Sequence, residues 1–187
     1  MPSSMKKFIN DLHKDNVWVI ARICVFRDSS LMKEKPDWYL KYNSTTSATS
    51  SFATTSEFWK DSGGGYWLDP ASPDVQNYII DFSKKVIDFG FDELQFDYVR
   101  FPSDGSISEI IYPYYNKEKS KFEVMKGFFS NLSQSLKLYS YPTILSADLF
   151  GYIATQYQSG EIGQRVSDAA GIFDYISFML YPSHFYG

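Results

Sequence analysis

The sequence predicts an α/β fold, a parallel (β/α) barrel of the TIM type that is incomplete, with about four strands. First, predicted helices and apolar strands alternate along the 187 residues, which favours parallel strands joined by right-handed crossovers. Second, no glycine-rich turn follows the first strand, which argues against the competing architecture, an open doubly wound sheet that binds a dinucleotide. Third, only about four strands are visible where a closed barrel needs about eight. We therefore expect residues 1–187 to form a single partial barrel domain.

The predicted elements follow from apolar periodicity and from capping residues. Apolar side chains recur on one helical face over residues 5–13, and a run of β-branched and aromatic residues predicts the first strand over 16–26. The second helix covers 73–89, with Ser72 as its N-cap and Gly90 as its terminator. The remaining elements are, in order, a strand over 91–101, a helix over 117–139, a strand over 142–150, a weaker helix over 161–170 and a strand over 175–182.

Residues 44–65 predict a flexible loop rich in Ser, Thr and Gly. Ten of the thirteen residues from 44 to 56 are Ser or Thr, and three consecutive glycines follow at 63–65. These glycines do not form a phosphate-binding motif, because no Lys-Ser or Lys-Thr pair follows them.

Composition excludes several kinds of protein. The net charge of −4 without clustered Lys and Arg argues against a nucleic-acid partner. The single cysteine, Cys24, excludes an internal disulfide framework and a cysteine-rich zinc site. No apolar stretch is long enough for a membrane span, and the N-terminal residues show no apolar region typical of a signal peptide. We expect no metal ion and no cofactor.

Two carboxylates follow apolar runs at the carboxyl ends of consecutive predicted strands, where TIM barrels place their functional residues. Asp97 lies in QFDYVRFP and Asp148 in SADLFG. A structural role is the alternative for each, namely a buried ion pair with an Arg for Asp97 and an Asx-turn for Asp148. Two carboxylates that face one another across a pocket are also what glycoside hydrolysis needs.

Charged and aromatic residues near the strand ends are candidate substrate-binding groups. Arg22 lies inside the first strand, where a charge needs a partner, and it could keep Asp97 ionised or form a salt bridge in the polar layer of the barrel. Aromatic rings can stack on sugar rings, although most aromatics in a protein belong to its core. The segment 103–116 is the candidate wall of the substrate pocket. The candidate substrate-binding residues are Arg22, Trp67, Tyr98, Arg100, Tyr181 and His184.

Six segments resemble, in the same order, blocks of a glycoside hydrolase domain family whose fold is a TIM barrel similar to the alpha-amylase-type clan. They are IARICVF, YWLDPASPDVQNYIIDF, GFDELQFDYVRFPSDG, SADLFGY, IGQRVSD and DYISFMLYPSHFYG. The resemblance implies that Asp97 is the nucleophile on barrel strand four and that Asp148 is the acid/base on strand five, a position that more often holds Glu. It places Arg22 on strand three, so that the chain covers strands three to six. It also implies an extracellular or cell-surface location.

The sequence therefore predicts a glycoside hydrolase that cleaves a poly- or oligosaccharide by a two-carboxylate mechanism, with retention as the favoured outcome. The alternative is a catalytically inactive glycan-binding barrel module. A weaker third hypothesis is a metal-dependent lyase that uses Asp97, Asp148 and His184, although their spacing is not that of a metal site. Because half a barrel leaves two sheet edges open, we expect the chain to pair with a second copy or with another polypeptide that supplies the missing half.

Overall fold

The computed structural model describes residues 3–43, 58–155 and 161–181. The helices in these residues are α1 (Ser3–Lys14), α2 (Pro73–Ile87), α3 (Lys121–Tyr139) and α4 (Val166–Ala169). The strands are β1 (Ile20–Cys24), β2 (Lys41–Tyr42), β3 (Glu93–Asp97), β4 (Ile110–Ile111), β5 (Ile144–Phe150) and β6 (Tyr175–Met179). No described helix combines the length and the apolar character needed to cross a membrane.

The main sheet has four strands in the order β1-β3-β5-β6, and every neighbouring pair is parallel. Its order follows the chain, and helices connect its successive strands, as in a series of βαβ units. The predicted parallel sheet of about four strands is thus confirmed. The short strands β2 and β4 pair antiparallel outside this sheet and were not predicted.

The strands are shorter than predicted at positions where the backbone turns away from the ladder. Asn16 has a positive φ of 56°, and β1 begins only at Ile20. Tyr98 has a positive φ of 52°, so β3 ends at Asp97 instead of continuing to residue 101. A left-handed residue cannot continue a regular strand, because its backbone groups no longer point along the ladder.

Local capping fixes the helix ends. The Ser72 hydroxyl accepts a hydrogen bond from the backbone N–H of Val75, and this N-cap starts α2 as predicted. The third helix begins at Lys121 rather than at residue 117, because Ser120 and Glu123 form a reciprocal capping box at its start. The predicted helix over 161–170 is reduced to the four residues of α4.

The two faces of the sheet have different surroundings. One face is apolar and packs against the helices, so that Ile23, Leu94, Phe96, Leu145 and Leu149 join the same buried core as residues of α2 and α3. The opposite face carries polar side chains, and in a closed barrel it is the face that lines the interior. Its polar residues and cysteine on β1, β3 and β5 are Arg22, Cys24, Glu93, Gln95, Asp97, Ser146 and Asp148, beside the apolar Ile20, Ile144 and Phe150.

Part of the predicted flexible loop, residues 44–57, lies outside the described residues. In the remaining part, Trp59 is fully buried and its indole N–H donates to the carbonyl of Ser106 at 3.1 Å. A bridge between Lys60 and Tyr66 then brings the chain back towards the core. Residues 58–65 are therefore held by hydrogen bonds and by a buried ring.

Candidate active site

Asp97 and Asp148 lie on the same face of the sheet, at the carboxyl ends of neighbouring strands. Gln95 lies two residues before Asp97 on β3, so their side chains point to the same side. The Gln95 side chain donates from Nε2 to Oδ1 of Asp148 at 2.7 Å, which places Asp148 on that side as well. Both aspartates are largely buried, with 5% exposure for Asp97 and 8% for Asp148.

Asp97 is held by two donors. The Arg22 guanidinium, which reaches across from β1, donates from Nη2 to Oδ2 of Asp97. The backbone N–H of Tyr98 donates to Oδ1 at 2.6 Å. The hydrogen bond with Asp97 raises the pKa of Arg22. Of the two roles expected for Arg22, the contact with Asp97 is present, and it supplies a positive charge next to this carboxylate.

Asp148 has different surroundings. Burial raises the pKa of Asp148 above its ordinary value, and the negative charges of Asp97 and Glu93 act in the same direction. The hydrogen bond from Gln95 and the positive charge of Arg22 oppose this rise without cancelling it. A carboxyl group that retains its proton to higher pH can donate it to a substrate oxygen.

The aromatic candidates differ in access. Trp67 is 1% exposed, and its indole N–H donates to Oδ2 of Asp61 at 2.9 Å. Its ring packs against that of Tyr98 at 5.8 Å between ring centroids, and the contact of Trp67 with substrate stays a prediction. Tyr98 is half-buried, and Tyr181, which follows β6, is 55% exposed. His184 lies outside the described residues.

Arg100 does not lie where regular strand alternation after Asp97 would put it. Because Tyr98 turns the backbone, Val99 is fully buried in the core and Arg100 lies among aromatic rings at 7% exposure. Its guanidinium is 5.7 Å from the ring centroid of Tyr98 and 5.1 Å from that of Trp67.

The segment 103–116, the expected wall of the pocket, is fastened to the residues before α2. The fully buried carboxylate of Asp69 accepts hydrogen bonds from the backbone N–H groups of Tyr114 at 2.7 Å and Tyr115 at 3.0 Å. It also accepts from the N–H of Ala71 at 2.9 Å. This aspartate lies in the WLDP motif, and its role was not predicted.

The whole chain, residues 1–187, matches the family described as "Putative glycosyl hydrolase domain". The chain belongs to this family. The resemblance drawn from its motifs is thereby confirmed. No curated protein matches the chain in sequence.

Solved structures similar to this chain confirm its fold class as part of a TIM-type barrel. A hypothetical protein from Ruminiclostridium thermocellum ATCC 27405 is 29% identical, with a TM-score of 0.58 over 77% of this chain and 65% of that chain. An alpha-amylase from Lactobacillus plantarum is 17% identical, with a TM-score of 0.60 over 93% of this chain and 35% of that chain. The alpha-galactosidase TtGalA from Thermus thermophilus, in complex with stachyose, is 15% identical, with a TM-score of 0.53 over 92% of this chain and 30% of that chain. The chain thus spans less than two thirds of each of these proteins.

Three polar residues at this site, Gln95, Glu93 and Ser146, were not assigned from the sequence. Gln95 holds Asp148, as described above. At the other end of β3, Glu93 accepts from the Ser146 hydroxyl through Oε1 and from the indole N–H of Trp18 through Oε2 at 3.1 Å. The signal was present in the alternation of ELQFD, which puts Glu93, Gln95 and Asp97 on one face.

The third hypothesis requires a set of metal ligands. Within the described residues, no group of three or more His, Cys, Asp or Glu side chains is arranged to hold a metal ion. His184, the third ligand of that hypothesis, lies outside those residues.

Proposed function

We propose that this domain hydrolyses a poly- or oligosaccharide, with Asp97 as the nucleophile and Asp148 as the acid/base. The observation that supports the proposal is that the two carboxylates, on one face of the sheet, have different partners. Asp97 contacts a guanidinium, whereas Asp148 accepts from a neutral amide and has a raised pKa. Hydrolysis by two carboxyl groups needs one group that attacks the sugar and another that donates a proton.

In the first step, an Oδ atom of Asp97 attacks the anomeric carbon of the sugar, and the bond from that carbon to the leaving oxygen breaks. The proton on Asp148 moves to the leaving oxygen, so the released sugar departs as a neutral alcohol. The products of this step are a glycosyl ester on Asp97 and an ionised Asp148.

In the second step, a water molecule attacks the anomeric carbon and the ester bond to Asp97 breaks. Asp148 takes the proton from that water, which restores both carboxyl groups to their starting states. The anomeric carbon is inverted twice, so the product retains the configuration of the substrate. Arg22 positions Asp97 for the attack, and Gln95 positions Asp148.

The family supports the glycoside hydrolase class, and two of the similar structures are by name an alpha-amylase and an alpha-galactosidase. The proposal applies the general class of these enzymes to this chain. The sugar and the linkage are not part of it.

The test compares cleavage of an oligosaccharide panel by the wild type, Asp97→Asn, Asp148→Asn and the control Asp81→Asn. The control replaces an Asp on α2 whose side chain is 66% exposed, in an ion pair with Lys84. We expect wild-type cleavage, an unchanged control, and a loss of about 10²–10⁴-fold in Asp148→Asn. We also expect a larger loss in Asp97→Asn, since it abolishes the covalent route.

Two outcomes would contradict the proposal. The first is cleavage by Asp97→Asn within tenfold of the wild-type rate. The second is glycan binding by the wild type without cleavage of any member of the panel, which is the behaviour of a glycan-binding module.

A further inference from the structure

Arg100 differs from the other arginines of the chain in its electrostatic surroundings. Arg22, Arg27 and Arg165 each form an ion pair, with Asp97, Asp61 and Asp168 respectively. Arg100 is 7% exposed, yet no carboxylate of the described residues lies within ion-pair distance of it. A buried charge without a counter-charge is unfavourable, and buried charges in proteins are as a rule paired.

Aromatic rings fix the Arg100 guanidinium in place without neutralising it. The guanidinium lies 5.1 Å from the ring centroid of Trp67, 5.7 Å from that of Tyr98 and 5.5 Å from that of Phe150. Its Nη1 donates to the carbonyl of Phe101 at 3.0 Å. Its Nε is buried and has no hydrogen-bond partner in the described part of the chain. The side chain is therefore ordered in advance, with donor capacity left over.

Three carboxylates lie near enough to act on Arg100, and Asp104 does so more strongly than Asp97 and Asp61. Asp104 is exposed and accepts from the N–H of Ser62 at 3.4 Å. Oδ2 of Asp61 accepts from Nε of Arg27 at 2.6 Å and from Nε1 of Trp67 at 2.9 Å. Asp97 accepts from Arg22 and from a backbone N–H. These carboxylates act on Arg100 only from a distance.

The position of Arg100 connects it to the proposed active site. Tyr98, one of its ring partners, directly follows Asp97 in the chain. Phe150, another ring partner, lies two residues after Asp148 at the carboxyl end of β5. The guanidinium is therefore next to the ends of the two strands that carry the proposed nucleophile and acid/base.

We propose that Arg100 binds the carboxylate of a uronic acid unit next to the scissile bond, so that the substrate is an acidic glycan. This inference rests on the proposed function for the position of the scissile bond. The planar guanidinium matches the two oxygens of a carboxylate, and a charged pair at a site that excludes water favours the acidic sugar over its neutral analogue. A neutral sugar would leave the buried charge unpaired and is rejected for that reason.

The experiment measures binding in the Asp148→Asn background, where cleavage is slowed. The probes are oligogalacturonate, oligoglucuronate and oligomannuronate, their carboxyl-reduced neutral counterparts, and the same neutral oligosaccharides bearing sulfate esters. Affinity is measured by calorimetry and, independently, by protection of Cys24 from alkylation. Cys24 is the single cysteine, it is exposed, and it is the register partner of Asp97 on β1.

Three further variants test the role of Arg100 in that background. Arg100→Gln removes the charge, Arg100→Lys keeps the charge but not the planar fork, and Arg165→Gln is the control in an arginine paired with Asp168. Melting curves report whether each variant is folded. If Arg100→Gln does not fold, the comparison of acidic and reduced oligosaccharides on the parent protein still decides the question.

We expect at least one acidic oligosaccharide to bind about tenfold or more tightly than its reduced counterpart, because the added hydrogen bonds join charged groups. The preference should vanish in Arg100→Gln, decline in Arg100→Lys and persist in Arg165→Gln. Equal binding of acidic and reduced forms, a preference that survives in Arg100→Gln, or a preference for the sulfated form over the carboxylate would each overturn the inference.

The two proposals fail in different ways. Cleavage of a neutral glycan that is unaffected by Arg100→Gln would overturn the role of Arg100 and leave hydrolysis standing. Tight binding of an acidic glycan that the wild type does not cleave would overturn hydrolysis and leave the role of Arg100 standing.

Discussion

We predict that Asp69 holds the segment 103–116 against the residues before α2. Its Oδ1 accepts from the N–H of Ala71 at 2.9 Å, while its Oδ2 accepts from those of Tyr114 at 2.7 Å and Tyr115 at 3.0 Å. The carboxylate is fully buried, and burial raises the pKa of Asp69 against these three hydrogen bonds. Replacement of Asp69 therefore removes three bonds to a charged acceptor and relieves part of a desolvation penalty.

The magnitude follows from these two opposing effects. Bonds to a charged group contribute about 1.5 kcal/mol each at the lower end of their range, and the relief from desolvating the carboxylate is on the order of 1–2 kcal/mol. We expect Asp69→Ala to lower the free energy of unfolding by about 3 kcal/mol. This is a large part of the roughly 5–15 kcal/mol typical of a domain.

Asp69→Asn is the sharper variant, because it preserves the size of the side chain. One of its two terminal atoms becomes an NH₂ group, which faces an N–H donor whichever way the amide is turned. We therefore expect Asn to be nearly as destabilising as Ala. The assay is urea unfolding followed by the fluorescence of the buried Trp59 and Trp67.

The matched control is Asp28→Asn, since Asp28 accepts from the N–H of Ser30 at 2.8 Å in an exposed turn. We expect this control to change stability by about 0.5 kcal/mol or less. If Asp69→Asn were as stable as the wild type within the same margin, the account of segment 103–116 as held by Asp69 would be refuted.

Four other predictions concern the acid/base, the end of β5 and α3. The pKa of Asp148 is raised in the folded protein, so its contribution to stability is full below its ordinary pKa of 3.8 and is lost as the pH rises through the folded-state pKa. Asp148→Asn lacks this titration, so its melting temperature should exceed that of the wild type by a margin that grows with pH over this window. Gln95→Leu removes a donor that favours the ionised carboxylate, so a carbon-13 NMR titration of Asp148 should move to higher pH; an unchanged titration would contradict the assignment. Gly151→Ala should cost about 1–3 kcal/mol, because its Cβ would lie 2.4 Å from the carbonyl oxygen of Met179. Gly127→Ala, with no atom within 4 Å of the new Cβ, should gain up to about 1 kcal/mol in the same thermal melts.

The sequence was sufficient for the features that depend on local chemistry. The start of α2 was predictable because Ser72 caps the helix through the nearby N–H of Val75. The outward and inward faces of β3 were predictable up to Asp97, because alternation needs only regular strand geometry. The same local logic placed two carboxylates at the carboxyl ends of consecutive parallel strands.

The features that the sequence did not predict depend on an unusual backbone conformation or on contacts between residues distant in the chain. The positive φ of Tyr98 ends β3 at the point where the Asp97 side chain accepts the N–H of Tyr98, and this turn puts Val99 into the core. The indole N–H of the buried Trp67 donates to Asp61, which also pairs with Arg27, 34 residues before it. The role of Gln95 could not be predicted without the register between β3 and β5. That register places Gln95 next to Asp148, which is 53 residues away in the chain.

The central claim is that Asp97 becomes covalently bonded to the sugar while Asp148 supplies and recovers the proton. Its most direct test is mass spectrometry of the Asp148→Asn variant incubated with dinitrophenyl glycosides of neutral and uronic sugars. A good leaving group needs no proton to depart, so the first step proceeds, whereas the second step is slow without a base. A glycosyl adduct should therefore accumulate on the tryptic peptide 86–100, and fragmentation should place it on Asp97. An adduct on a different residue, or turnover that inverts the anomeric configuration without any adduct, would contradict the account.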